Sequence, residues 1–255
     1  RTPERLAYTQ QLADILAGWL PDGAEGSIST VPGSFKSWIR TEEDRRQMAV
    51  QLAAVALHFA KIERETGREI HLGLEPEPDC FLETTPETLR FFEETLLPTG
   101  AAEIVREQGG SRESAETLLR RHIGVCFDTC HVALQFEDPA ASLAALRAAG
   151  IRISKVQISA ALRTVSTPES WAALRPFAEP VYLHQVKGRG LNGREYASID
   201  LAPALDALPG LPALDELRVH FHVPLFFESA GVLRSTSGTL TPEFFSALRA
   251  GASPH

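Results

Sequence analysis

The sequence predicts an α/β fold of parallel strands covered by helices, in one domain over residues 1–255. Three observations predict it. Apolar residues at helical spacing alternate along the chain with short β-type runs, the pattern of βα units on a parallel sheet. The runs are apolar almost throughout, as strands buried on both faces must be. A length of 255 residues suits one α/β barrel or one doubly wound domain.

The elements follow in order. Helical spacing over 6–20 stops at Pro21 and Gly23, and a strand over 27–31 runs into Pro32-Gly33-Ser34-Phe35-Lys36. Thr41, with acidic residues behind it, caps a helix to about residue 66. A strand over 70–75 precedes a helix opened by Thr85-Pro86-Glu87 and running to about residue 97. A helix over 111–122, a strand over 124–128, a helix over 139–149 and a strand over 153–158 come next. Residues 181–186 read as a fifth strand, 187–198 as a polar glycine-rich loop, and 201–208 as a helix. A last strand over 217–223 and a helix over 241–250 finish the chain. Six strands alternate with helices, and a closed eight-stranded barrel needs two more. Further strands are therefore expected outside the chain at its ends, which begins at Arg1 within a helical pattern.

Composition excludes several classes. The chain is 44% hydrophobic and 23% charged, an ordinary globular balance. A formal charge of -8 leaves no basic footprint for nucleic acid. No apolar stretch reaches the roughly 18 residues that span a bilayer, so no membrane insertion is expected. Three cysteines are too few for a disulfide framework, and a reducing cytoplasm is the expected location.

Polar residues in buried strands need a reason, and in barrels the C-terminal strand ends carry the chemistry. Here nearly every strand ends on one. His71, Gly73 and Glu75 share a face of the second strand by period-two alternation. Asp128 ends the apolar run Ile123-Gly124-Val125-Cys126-Phe127, with His131 three residues on. Lys155, Gln157 and Ser159 share a face, His184 stands on the fifth strand, and His220 and His222 on the last. Together they form a carboxylate, imidazole and amide set suited to Mn²⁺, Zn²⁺, Co²⁺ or Mg²⁺. Each residue has a plainer alternative. Glu75 could cap a neighbouring helix, and Gln157 could bond a backbone group. His131 divides between metal ligand and substrate contact. His220 and His222 could be half-exposed packing residues. Cys126 and Cys130 read as small buried side chains rather than ligands.

Around Leu74-Glu75-Pro76, Asp128-Thr129-Cys130-His131, Gln157 and Arg163 the sequence resembles the xylose-isomerase-like metal-dependent barrels, best over residues 70–165. The resemblance implies a (β/α)8 TIM barrel and gives residues roles. Glu75 and Asp128 bind metal, His131 contacts substrate, and Arg163 binds substrate. Gln157 falls where the related ketose epimerases have a histidine ligand, and the closing glutamate of those enzymes has no clear counterpart, Glu228 coming late. The segments Gly26 to Lys36, Gly73-Leu74-Glu75-Pro76-Glu77-Pro78 and Val219-His220-Phe221-His222-Val223-Pro224-Leu225 are similar to the EboE-type metabolite-traffic proteins. That likeness implies a place in natural-product processing or export, with protein partners from such a cluster.

Three functions follow as expectations. The first is a divalent-metal-dependent sugar-phosphate isomerase or epimerase acting on a small polyhydroxylated metabolite. In it Glu75, or a closing glutamate expected beyond this chain, serves as base, with His131 at the reacting centre, and Arg163 or Lys36 holds substrate oxygens. The second is a non-catalytic metabolite-binding protein. The third is a metal-dependent phosphodiesterase of the apurinic-endonuclease type, in which His184, His220 and His222 complete a multi-metal site.

Overall fold

Helices begin where the sequence supplies a capping side chain. In the computed structural model, which describes residues 2–255, the first half of the chain contains α1 (Pro3–Trp19), β1 (Glu25–Thr30), α2 (Glu42–Thr66), β2 (Glu69–Leu74), α3 (Thr85–Arg90), α4 (Leu97–Gln108), α5 (Arg112–His122) and β3 (Ile123–Asp128). The chain continues with α6 (Thr129–Leu134), α7 (Pro139–Ala148), β4 (Arg152–Gln157), β5 (Ala160–Thr164) and α8 (Pro168–Leu174). It ends with β6 (Val186–Arg189), β7 (Glu195–Ser198), α9 (Leu201–Ala207), β8 (Glu216–Val223), β9 (Ser229–Ala230), β10 (Leu233–Ser235) and α10 (Pro242–Arg249). Thr41 closes a capping box with Asp44 at the start of α2, and Gly67 ends that helix in the left-handed region at φ 71°. Thr84, one residue before the expected cap, does the same with Glu87 for α3. A π-helical stretch, Phe91–Leu96, carries α3 into α4, so this helix continues well beyond residue 97.

The described residues form two compact units. The first takes the chain as far as Phe127, with Leu143–Val156 and Ala247–His255. Its four-stranded sheet has the order β1-β2-β3-β4, with β1–β2 and β2–β3 parallel. Strand order equal to chain order is that of half of an eight-stranded barrel. The fold is thus α/β with a parallel half-barrel sheet. β2 and β3 are buried along nearly their whole length, with α2 packed on β2. Gly73 and Gly124 are paired in register. A Cβ at Gly124 would run into the Arg152 carbonyl oxygen, and one at Gly73 would lie 2.9 Å from the Cys126 nitrogen. Only glycine lets the strands approach this closely.

The second unit comprises Asp128–Ser142 and Gln157–Ser246. Its sheet has the order β7-β6-β8-β5-β10-β9, with β6–β7, β6–β8, β5–β8, β5–β10 and β9–β10 antiparallel. Leu162, Val186, Leu217 and Val219 form one face with Leu201 and Leu205 of α9. By alternation Arg163, Arg218, Lys187, His220 and His222 take the other face. Cys130 and Leu134 of α6 pack there on Ala161.

This second sheet departs from the uniformly parallel expectation. β8, read as a strand of the parallel set, instead pairs antiparallel with β5 and β6. Residues 181–186 are not a strand before Val186. Glu179 accepts the N–H groups of Val181 and Tyr182 at 2.7 and 2.9 Å, so those groups do not enter a ladder. The segment expected as a loop over 187–198 is largely the β6–β7 hairpin. The sequence pattern does not predict β5, α6, α8, β9 and β10; most are too short to present a periodic signal.

Candidate metal centre

Asp128 does two jobs at one chain position. It ends β3, and its carboxylate caps α6, accepting the N–H of Cys130 at 2.8 Å and of His131 at 3.4 Å. The short helix follows from that cap, and it carries His131 over the sheet face of β8 rather than leaving it in a loop. Gln157 Nε2 donates to Asp128 Oδ2 at 2.8 Å, and the Ser159 hydroxyl donates to Oδ1 at 3.1 Å. Burial of this carboxylate, 2% exposed, is offset by these donors. Thr129 fixes the segment that supplies them, its hydroxyl donating to the Ser159 carbonyl at 2.6 Å and accepting from the Ser159 N–H at 2.8 Å.

Three imidazoles converge beside it. His131 Nε2 lies 3.1 Å from His220 Nε2, which lies 3.2 Å from His222 Nε2. The partners of the opposite nitrogens decide what those Nε2 atoms are. His220 Nδ1 stands 2.7 Å from Gln185 Oε1, which can only accept, so Nδ1 carries the hydrogen. His222 Nδ1 stands 3.0 Å from the Ser159 hydroxyl, whose own hydrogen goes to Asp128, so this Nδ1 also donates. In the neutral rings both Nε2 atoms then present lone pairs, and they face each other. Two lone pairs at 3.2 Å repel unless a cation lies between them. Tetrahedral ligands at 2.0–2.1 Å from zinc are about 3.3 Å apart, close to the spacing found. Ligand atoms of Asp128, His131 and His222 fall within 4.8 Å of one another, as do those of Cys130, His220 and His222.

Burial, reinforced by His131 and His222, pushes His220 down to about 3, so this ring stays in the neutral, ligating form. Burial, with a smaller contribution from Asp128, holds the Cys130 thiol well above its ordinary value. Cys130 Sγ–H is directed at the Phe221 carbonyl oxygen at 3.5 Å. As a protonated thiol it is a poor ligand. Cys126 is likewise buried.

The remaining expected residues are placed as follows in their own units. Gln157 meets the cluster as a donor to Asp128. His184 uses Nδ1 toward the His220 carbonyl oxygen at 3.1 Å, sets Nε2 3.4 Å from Glu179, and stacks on Phe221. Arg163 is on the same sheet face as His220 and has a buried Nε without a hydrogen-bond partner. Lys36 and Glu75 belong to the first unit. Lys36 is paired with Glu83 at 2.5 Å and Glu87 at 2.8 Å. Desolvation works to lower its pKa, but these carboxylates outweigh it and hold the ammonium above its ordinary value. Glu75 follows β2 directly, its N–H donating to the Thr30 carbonyl at 2.9 Å. Ser159 and Gln185 had no assigned role in the sequence. Their signal was only position, each being a polar residue beside an expected ligand.

No protein-family model matches the sequence, and no curated protein matches it. A solved structure is similar. It is the probable 3-DHS dehydratase AsbF involved in petrobactin synthesis from Bacillus anthracis, at 18% identity and a TM-score of 0.41, over 69% of this chain. The chain spans 49% of that protein's length. No helix among the described residues is long and apolar enough to cross a membrane.

Proposed function

We propose that this chain is a divalent-metal-dependent enzyme acting on a small polyhydroxylated metabolite, of the sugar-phosphate isomerase or epimerase kind. The observation that carries this reading is the facing Nε2 pair of His220 and His222, 3.2 Å apart, with His131 Nε2 3.1 Å from His220. His131, His220 and His222 would hold the ion with Asp128, a donor set suited to Zn²⁺, Co²⁺ or Mn²⁺. A bound ion would supply Lewis-acid polarisation of a substrate carbonyl or hydroxyl oxygen. Gln185 and Ser159 keep the proton of His220 and of His222 on Nδ1. Gln157 and Ser159 hold the Asp128 carboxylate toward the cluster. The His222 side chain is 48% exposed, which leaves this edge open to a substrate. Arg163, with its buried Nε unpartnered, is suited to an anionic or hydroxyl-rich substrate group. The likeness of the histidine segment to EboE-type proteins favours natural-product processing or export as the setting.

A specific observation also favours a second reading, a metal-containing protein that binds a metabolite without turning it over. Asp128 accepts from four donors, so its oxygens are engaged in holding α6, Gln157 and Ser159 rather than open toward a substrate. Elemental analysis after incubation with Zn²⁺, Co²⁺ or Mn²⁺ tests both readings; a folded protein that retains no metal sinks them. Incubating metal-loaded protein with a panel of sugar phosphates in D₂O then separates them. Carbon-bound deuterium in the recovered sugar marks the enzyme. Metal-dependent binding without exchange marks the carrier.

A further inference from the structure

The first unit holds a buried histidine whose environment its neighbours do not explain. His71 stands on β2, 0% exposed, and neither ring nitrogen has a hydrogen-bond partner. The contrast with His122, 1% exposed in the same unit, is direct: that ring sets Nδ1 2.8 Å from the Ile70 carbonyl oxygen and Nε2 3.5 Å from Glu63. Leaving a buried polar atom unpaired costs about 1–3 kcal/mol, so a ring with two such atoms calls for a partner.

Two ligand-type side chains surround it. Glu25, the first residue of β1, places Oε2 3.9 Å from His71 Nε2. The His255 ring lies 5.6 Å from the His71 ring, centroid to centroid. One ligand atom from each of Glu25, His71 and His255 falls within 4.8 Å of the others. Two imidazoles and a carboxylate are a ligand set that zinc accepts, with solvent in the fourth position. His255 is exposed, so its side chain is free to close the remaining distance. Burial, then Arg152, keeps His71 low, at about 3, and hence neutral.

The surrounding charges do not oppose a dication. Arg152 bridges Glu25 and Glu69, while Arg121 bridges Glu69 at 2.6 Å and Glu63 at 2.5 Å. Three carboxylates against two guanidiniums leave one formal negative charge before an ion binds. We infer that Glu25, His71 and His255 form a second divalent-cation site, of zinc or cobalt type, which belongs to the first unit and does not depend on the histidine cluster of the second. Its role is structural. The segment carrying His255 already touches β4, where the Val156 N–H donates to the His255 carbonyl at 3.0 Å and the Ser253 hydroxyl to the Ile153 carbonyl at 3.0 Å. An ion on these three residues would tie that segment to β1 and β2.

The test uses the full chain, stripped with chelator and titrated with Co²⁺, with metal content read after gel filtration. A His220→Ala, His222→Ala double variant removes the cluster from the count. It is expected to keep one equivalent of cobalt with visible ligand-field bands. Adding His255→Ala or Glu25→Gln to that background is expected to weaken cobalt binding by about tenfold or more and to abolish the bands. His255→Ala changes an exposed side chain, so the fold survives it. A folded double variant that retains no cobalt overturns the site, as does a titration that neither His255→Ala nor Glu25→Gln alters. Loss of metal at the cluster is read separately, as the difference between wild type and the double variant.

Discussion

The amide of Gln157 donates to Asp128 Oδ2 at 2.8 Å, which makes Gln157 the residue that aims the carboxylate. Groups that orient a metal ligand change affinity by about 10–100-fold when removed. Gln157→Ala is therefore expected to weaken metal binding by roughly that factor while the three histidines remain. Competition against a chromophoric chelator measures it, and an unchanged affinity would assign Gln157 to packing alone.

Gln185 acts on His220 in the same way, from the opposite side of the ring. Its Oε1 holds the imidazole hydrogen on Nδ1 at 2.7 Å. With Gln185→Leu the ring is free to place the hydrogen on Nε2, where it blocks the lone pair. Metal affinity is expected to fall by about tenfold, with the larger loss at lower pH. Zinc titration at pH 6.5 and 8 reads both effects.

Acid should destabilise the metal-free protein from near pH 6.5 downward. His71 and His220 are held at about 3 by burial first, and His122 is also lowered by burial, against an ordinary value of 6.5. Between pH 6.5 and 3 the unfolded chain binds protons at His71 and His220 that the native state refuses. Stability is thus full above pH 6.5 and declines as the pH falls. The slope from each such histidine is at most about 1.4 kcal/mol per pH unit. Urea unfolding of chelated protein at pH 7, 5.5 and 4.5 checks this; equal stabilities at all three would contradict it.

Gly124→Ala is expected to destabilise by about 1–3 kcal/mol, because the new methyl meets the Arg152 carbonyl oxygen and β3 and β4 must move apart. A thermal midpoint equal to wild type would mean that the strands already have slack.

Thr41→Ala removes the hydroxyl that accepts the Asp44 N–H at 3.1 Å. About 1 kcal/mol of stability should go with it, without effect on metal content. Denaturant melts of the variant against wild type give the number directly.

Much of this architecture was legible locally. β1, β2, β3 and β4 lie within two residues of where apolar runs and their bounding turns put them. Thr41 starts α2 as its capping chemistry predicts, and α5 fills the helix expected over 111–122. Asp128 stands at a strand end, and His220 and His222 share a strand face, both readable from period-two alternation. The same alternation put Glu75 at the end of β2, but it tells which face a residue takes and not which residues meet there.

The sequence by itself determined the capped helices, the parallel strands of the first unit and the ligand-type residues at their ends. These follow from side-chain periodicity, backbone propensity and capping, which act over a few residues. Tertiary structure alone decided that β8 runs antiparallel between β5 and β6. It also brought His131 to His220 across 89 residues of chain. Strand direction and side-chain meeting depend on which distant surfaces bury one another, and that free energy belongs to the packed chain rather than to any short stretch of it.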